Sequence, residues 1–469
     1  MKFSANELLL IPHLQVRSPE LLDGKTFTGV STDSRTVAPG DLFVALRGQN
    51  FDGHQFIKDV LAKGALGAIV ESSWAAKNLT PGGLLIVEDS TRALGALAYL
   101  HRKKFMIPLL AIAGSNGKTT TKDMVAAVLG MKYRVLCTQG NLNNHIGVPH
   151  TLLRLDESHE VAVIEIGTNH PGEIAMLCNI LKPTHGLITT IGREHLEFFG
   201  TVEGVAKEEG VLFDRLGSLK EGVGFVNAGD PLAKQAATPL KHKVTYGLGV
   251  RGADVRGKIA GLSETGCAVL EFAGGRMQKP ARVELAIPGE HNALNALAAA
   301  AVGLSFKVPA AKVRQALEAF RPASKRMEVK NVHGIIIFND TYNANPDSML
   351  AALKTLAAAK VTGKRIAVLG DMRELGSAGG VEHEAIGKEA ARLGIDYVLT
   401  YGELAKRISA GAGGRFAVHY EQKNMLAEYL LELVAPGDAV LIKASRSMKL
   451  EDVATFLEER LQAPVQTYA

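Results

Sequence analysis

Residues 109–130 read LLAIAGSNGKTTTKDMVAAVLG: an apolar run, a glycine turn, a lysine, three threonines and an amphipathic stretch. That order predicts a buried strand, a loop and a helix. Unpaired N–H groups at a helix start, with the helix dipole behind them, attract anions, and glycine lets a phosphate approach the backbone. Gly114, Ser115, Asn116 and Gly117 form the turn. Lys118 is placed to reach the β and γ phosphates of a nucleotide, and Thr119, followed by Thr120, to offer a hydroxyl to magnesium. The usual loop carries a further glycine where this chain has Ile112, so the loop is a shortened form. Taken alone it fits a kinase, a nucleotide switch or a ligase.

Other polar residues sit where apolar runs end. VAVIEIG leaves Glu165 at the end of a buried strand, where a carboxylate needs a cation or donors. It could complete a metal site with Thr119, since magnesium takes oxygen ligands, or it could cap a loop. In LITTIGREHLEFFG, His195 follows a second such strand; it could bind a second metal, hydrogen-bond a developing phosphate charge, or be an ordinary loop residue. GNLNNHIG places Asn144 among more amides than a turn requires. GEHNALNALAAAA puts Asn292 and Asn295 about one helical turn apart, able to face one ligand such as a purine edge; helix capping also accounts for Asn292.

The elements around these residues alternate. Residues 1–105 mix short strands and turns with a helical stretch; 106–321 alternate buried-type strands and helices, interrupted by glycine-broken strands at 244–288 that read as an antiparallel flap; 322–469 alternate again as a second doubly wound unit. The expected fold is therefore α/β in three parts. At 469 residues and 46% hydrophobic content the chain can bury the several cores this requires. With 53 basic against 48 acidic residues spread along the chain, no nucleic-acid-binding tail is indicated. Three scattered cysteines, Cys137, Cys178 and Cys267, lack metal-ligand spacing and suit a reducing compartment. No leader-type sequence opens the chain and no apolar run reaches the ~20 residues of a membrane span. The expectation is a cytoplasmic protein without a membrane span.

GSNGKTTTK and HNALNALAAAA together resemble the Mur ligases, ATP-dependent amide-forming enzymes that build the peptide of bacterial cell-wall precursors. GNLNNHIGVP, EIGTNHPGEI, NDTYNANPDSM, VLGDMRELG and KASRSMKLE look like the branch that adds the D-alanyl-D-alanine dipeptide. The resemblance implies a small α/β domain holding a UDP-sugar (1–105), a central P-loop ATPase with a mostly parallel sheet (106–321) and a Rossmann-like C-terminal domain bringing the amine (322–469). It implies ATP and magnesium (Mg2+) as cofactors, with UDP-N-acetylmuramoyl-tripeptide and D-Ala-D-Ala as substrates of a monomer; the alternative is a relative adding a single amino acid. Lys118 and Thr119 would hold ATP and its metal, with Glu165 and His195 also at the metals. Asn292 and Asn295 would lie near adenine, Asp340 near ribose, Arg326 near the phosphates, and Tyr342 beside that nucleotide edge. Ser31, Asp33, Ser34, Arg35, Arg47, Asp52 and His54 match the strings used for the uridine diphosphate end, and Lys443, Ser445 and Arg446 fall near the dipeptide.

One position departs from the family's pattern. Mur ligases commonly carry a carbamylated lysine fourteen residues after the histidine; here that position is Glu209, and the nearest lysine, Lys207, lies two residues earlier. Two residues turn a helical side chain by roughly 200°. The expectation is that Glu209 supplies a permanent carboxylate and joins Lys118 and His195 in catalysis, the alternative being modification of Lys207.

Overall fold

In a computed structural model, which describes residues 1–462 apart from Pro81, Arg276 and Arg415, the chain is mixed α/β with mostly parallel sheets. By contact density it divides into two compact units. The first is Met1–Ala111, Tyr133–Thr168 and Gly172–His185; the second is Ile112–Lys132, Asn169–Pro171 and Gly186–Ala469.

Near the N-terminus a five-stranded sheet runs in the order Gln15–Arg17, Leu84–Val87, Gly67–Glu71, Asp41–Val44, Gly29–Ser31, with only Gln15–Arg17 antiparallel to its neighbour. A nine-stranded sheet follows the order Val135–Cys137, Val161–Glu165, Leu109–Ala113, His185–Ile188, Val223–Asn227, His242–Leu248, Val255–Leu262, Cys267–Gly274, Ala281–Pro288. Leu109–Ala113 and Val161–Glu165 are buried at every residue, which explains why they read as continuous apolar runs rather than alternating ones. The antiparallel flap expected at 244–288 is narrower than the sequence suggested. His242–Leu248 pairs in parallel on both sides, and the antiparallel ladder begins only at Val255–Leu262, continuing the same sheet.

The C-terminal sheet has six strands in the order Glu328–Val332, Ile335–Asn339, Ala439–Lys443, Arg365–Gly370, Tyr397–Tyr401, Ala417–Tyr420. All are parallel except the first, which forms a hairpin with Ile335–Asn339. Its two-residue turn is His333-Gly334, with φ of 50° and 83°, the positive values that a twist-matched hairpin turn demands. Apolar clusters cover both faces of this sheet, around Phe338 and Leu369 on one side and Ile337 and Val368 on the other.

One histidine makes the fold sensitive to acid. Burial holds the imidazole of His185, at the start of its strand, down to about 4. An unfolded imidazole titrates near 6.5, so below that pH the unfolded chain takes up protons that the folded one refuses. Stability present above about pH 6.5 is therefore lost as pH falls toward 4, by ~3 kcal/mol for His185. His185→Gln should lose less melting temperature between pH 7 and 5 than the wild type does; an identical fall would remove His185 from the acid response.

Candidate active site

The phosphate loop is held open by its surroundings. Gly114 and Gly117 have φ of 114° and 78°, values that favour glycine. A Cβ on Gly114 would lie 2.4 Å from Thr189 Oγ1, and one on Gly117 would lie 2.6 Å from Asn295 Oδ1. The Ser115 N–H donates to Thr190 O (2.7 Å), and Ser115 Oγ accepts the Gly192 N–H (2.9 Å). Helix Lys118–Gly130 starts directly after Gly117, with Thr119 buried and Thr120 half-buried. The Lys118 ammonium donates to Gly114 O and lies 3.3 Å from Glu194 Oε2. Asn295 and Asn292 bond to each other: Asn295 Nδ2 donates to Asn292 Oδ1 (3.0 Å), and Asn292 Nδ2 donates to Pro288 O (2.7 Å). Asn295, in helix Glu290–Ser305, thereby lies against Gly117 of the loop with its amide already paired.

Glu209 comes to the same loop from helix Val202–Gly217, begun by Thr201, whose Oγ1 accepts the Gly204 N–H. Val205, Glu209, Leu212, Phe213 and Leu216 are all buried, so this carboxyl occupies the apolar stripe of an amphipathic helix. It is fully buried, and its Oε2 accepts the Gly114 N–H at 2.8 Å. Burial first, then the nearby Glu194 carboxyl, push Glu209 up to about 8, against the opposing pull of Lys118 and the Gly114 N–H. Lys207 is exposed and faces elsewhere, lining a cleft of about 450 Å³ with Glu203, Asp214 and Gln235. Helical rotation separates the two as expected.

His195, with φ of 47°, opens the short helix Leu196–Phe199. Its Nδ1 lies 2.5 Å from Glu374 Oε2 and its Nε2 lies 3.9 Å from Glu194 Oε2. The close approach of the His195 ring is the main reason Glu374 is held below the usual carboxylate range. Further bonds within the second unit tie these loops to the segment that follows the C-terminal hairpin and to helix Gly379–Arg392. Asn345 Nδ2 donates to Asn116 Oδ1 (3.0 Å). Arg193 donates from its backbone and guanidinium to Asp347, and from Nη1 to Glu382 (2.8 Å).

In the same unit, the Arg326 guanidinium stacks 3.6 Å from the centre of the Tyr342 ring. Asp340 accepts the Met327 N–H (3.0 Å) and pairs with the buried Lys443 ammonium (2.5 Å), which also donates to Asn343 O (2.9 Å). Ser445 Oγ accepts the Arg373 N–H (2.8 Å), while Arg446 pairs with Glu451 (2.7 Å).

Within the first unit, buried Glu165 accepts from Asn143 Nδ2 (2.8 Å), and its N–H donates to Thr138 Oγ1 (3.0 Å). Asn144 instead caps the turn, accepting the Ile146 and Gly147 N–H groups, so the adjacent amide is the one that orients the carboxylate. Ser31, Asp33, Ser34 and Arg35 form a self-bonded turn: Ser31 Oγ donates to Asp33 O, Arg35 forks onto Asp33, and Lys63 donates to Ser34 O. Arg47 bridges Asp52 (3.2 Å) and Glu71 (3.1 Å), and His54 Nδ1 donates to Asp52 while its Nε2 accepts the Glu71 N–H.

Among the described residues, no three His, Cys, Asp or Glu side chains form a group able to hold a metal ion. Magnesium does not require one, since it binds through one or two protein oxygens plus substrate phosphates and water. No helix of the described residues is long and apolar enough to cross a membrane.

Family models match three stretches of the chain: "Mur ligase family, catalytic domain" at residues 26–127, "Mur ligase middle domain" at 112–303, and "Mur ligase, glutamate ligase domain" at 325–446. The chain is 36% identical to the UDP-N-acetylmuramoyl-tripeptide–D-alanyl-D-alanine ligase of Bacillus subtilis, over 92% of this chain and 93% of that one. The chain belongs to the Mur ligase family. The Escherichia coli protein of the same name is also 36% identical, over 92% and 94%. Among solved structures, MurF from Acinetobacter baumannii superposes with a TM-score of 0.89 at 30% identity, over 98% of this chain and 99% of that one. MurF from Thermotoga maritima in complex with ADP gives 0.81 at 28% identity, over 92% and 97%. The three-domain Mur ligase architecture is thus the fold of this chain.

Several residues around the loops of this Mur ligase escaped the sequence reading. Glu194, Arg193 and Glu374 flank motif residues, but their partners lie far away in the chain; Arg193 reaches Asp347 across 154 positions. Glu194 carried one local signal, a second ionisable group beside His195 at the end of a buried strand.

Proposed function

We propose that this Mur ligase joins D-alanyl-D-alanine to UDP-N-acetylmuramoyl-tripeptide with conversion of ATP to ADP and phosphate, acting as a monomer in three domains spanning about 1–105, 106–321 and 322–469. The observation that carries this reading is the bonding of the phosphate loop and the His195 loop to the segments after two strands of the C-terminal sheet, through Asn116–Asn345 and Arg193–Asp347 after Ile335–Asn339 and His195–Glu374 after Arg365–Gly370. A nucleotide switch or a kinase has no need of such ties to a second sheet. Relatives matching along nearly the whole chain carry the name of this one activity.

A free carboxylate does not form an amide, because its oxygen leaves poorly and its charge repels a nucleophile. Transfer of the γ-phosphoryl group from ATP to the tripeptide carboxylate gives an acyl phosphate and ADP. The dipeptide amine then adds to the acyl carbon, loses a proton, and phosphate departs with its bond to the former carboxylate oxygen. The backbone N–H groups at the helix start, Gly117 to Thr119, fix the phosphates, and Lys118 neutralises charge on the group in flight. Thr119, Glu165 and His195 are the residues we assign to magnesium, which when bound polarises the phosphoryl oxygens. Asn143 keeps the Glu165 carboxylate oriented, and Glu374 fixes the His195 ring. Asn292 and Asn295 lie on the adenine side, Asp340 and Arg326 at the ribose and phosphates, the 31–54 cluster at the uridine diphosphate, and Lys443, Ser445 and Arg446 near the dipeptide.

Tripeptide labelled with oxygen-18 in its reacting carboxylate tests the order of events. One labelled oxygen should appear in each phosphate released during D-Ala-D-Ala-dependent turnover. Label retained wholly in the peptide product would exclude the acyl phosphate.

A further inference from the structure

The phosphate loop carries a carboxylate that no phosphate-binding role explains. Glu194 is 5% exposed, and its Oε2 lies 3.3 Å from the Lys118 ammonium, which also donates back to Gly114 O. Behind it Glu209 is fully buried and bonded to the Gly114 N–H. Glu194 Oε1 and Glu209 Oε1 are both buried with no hydrogen-bond partner among the described residues. Two carboxyls and one ammonium therefore lie together beside the loop, with the His195 ring 3.9 Å from Glu194 Oε2 and the Lys118 ammonium 3.3 Å from the same oxygen. A buried carboxylate with no cation is costly, so the cluster has a definite pull on Lys118.

We propose that Glu194 is a positioning residue that competes with the nucleotide's phosphates for Lys118. A β or γ phosphate seated on the loop N–H groups can gain the ammonium only as Glu194 gives it up. Glu194 thereby weakens binding of nucleotides with two or three phosphates while leaving the adenosine end untouched, and it lets the lysine return as product leaves. The competing group sits one residue from His195, on the loop that Arg193 and His195 tie to the C-terminal segment, so the strength of the competition is set by where that loop is held.

This inference rests on the reading of the loop as an ATP site, and the test separates the two. Binding of ATP, ADP and AMP to the full-length protein with magnesium is measured by calorimetry, beside the KM for ATP and kcat. Glu194→Gln keeps the shape and removes the charge. It should bind ATP and ADP roughly tenfold more tightly, the scale of one charge-assisted hydrogen bond, with AMP within about twofold of wild type. The KM for ATP should fall with no rise in kcat, and Glu194→Asp should restore the wild-type ratio of ATP to AMP affinity. A ratio unchanged or lowered in Glu194→Gln, with an unaltered melting temperature, overturns the competition; should that variant fold poorly, the same ratio in Glu194→Ser decides. Wild-type protein with no preference for ATP over AMP would overturn the ATP site itself.

Discussion

Lys118→Ala is expected to lower kcat by on the order of 10³, while the far-ultraviolet circular dichroism stays that of the wild type. The backbone donors of the loop survive this substitution, so nucleotide should still bind. What disappears is the one cation on the loop able to follow negative charge as the phosphoryl group moves. Glu194 and Glu209 lose their shared counter-ion in the same variant. Buried carboxyls so deprived take up protons rather than remain charged, and the destabilisation should be small at pH 6 and larger at pH 9. Steady-state kinetics and melting curves at the two pH values check both halves. Turnover retained within tenfold would take the loop lysine out of phosphoryl transfer.

The parts of this site that the sequence disclosed are those whose cause is local. The phosphate loop is legible because strand, turn, lysine and helix follow one another in a single string. Glu209 is legible through the resemblance to the Mur ligases, as the residue fourteen after His195, and the structure adds that it lies on the buried stripe of Val205, Leu212, Phe213 and Leu216. The ties between loops are not legible. Arg193 reads as a solvated charge until Asp347 and Glu382 are brought to it, and Asn116 as a turn residue until Asn345 meets it. Adjacent amides resist assignment for a different reason: Asn143 and Asn144 have the same chemistry, and only the turn geometry decides which one caps and which one faces Glu165. In the fold, the hairpin at Glu328–Val332 was missed because its turn is His-Gly rather than the Asn-Gly that usually announces positive φ at both positions. The flap was overextended because glycine-broken alternation looks alike in the parallel strand His242–Leu248 and in the antiparallel strands after it.

Glu209→Gln is expected to lower kcat by on the order of 100-fold, and wild-type turnover is expected not to depend on added bicarbonate. Where Mur ligases commonly build a carboxylate from lysine and carbon dioxide, this chain has a carboxyl group of its own, bonded to the Gly114 N–H and facing Lys118 and Glu194. Lys207 cannot stand in for it, since its side chain lines the cleft with Glu203 and Asp214; Lys207→Ala should stay within about twofold of wild type. The same glutamate has a signature that needs no turnover. Its proton is held up to about 8 by burial and by Glu194, above the unfolded value near 4.3. The folded protein therefore binds the extra proton between those values, and the stability it contributes is lost as pH rises through about 8. Glutamine cannot ionise, so the melting temperature of Glu209→Gln should fall less between pH 6 and 9 than that of the wild type. Bicarbonate-dependent wild-type turnover together with an inactive Lys207→Ala would instead assign the carboxylate to a modified Lys207, and the buried Glu209 would then serve only to brace the loop.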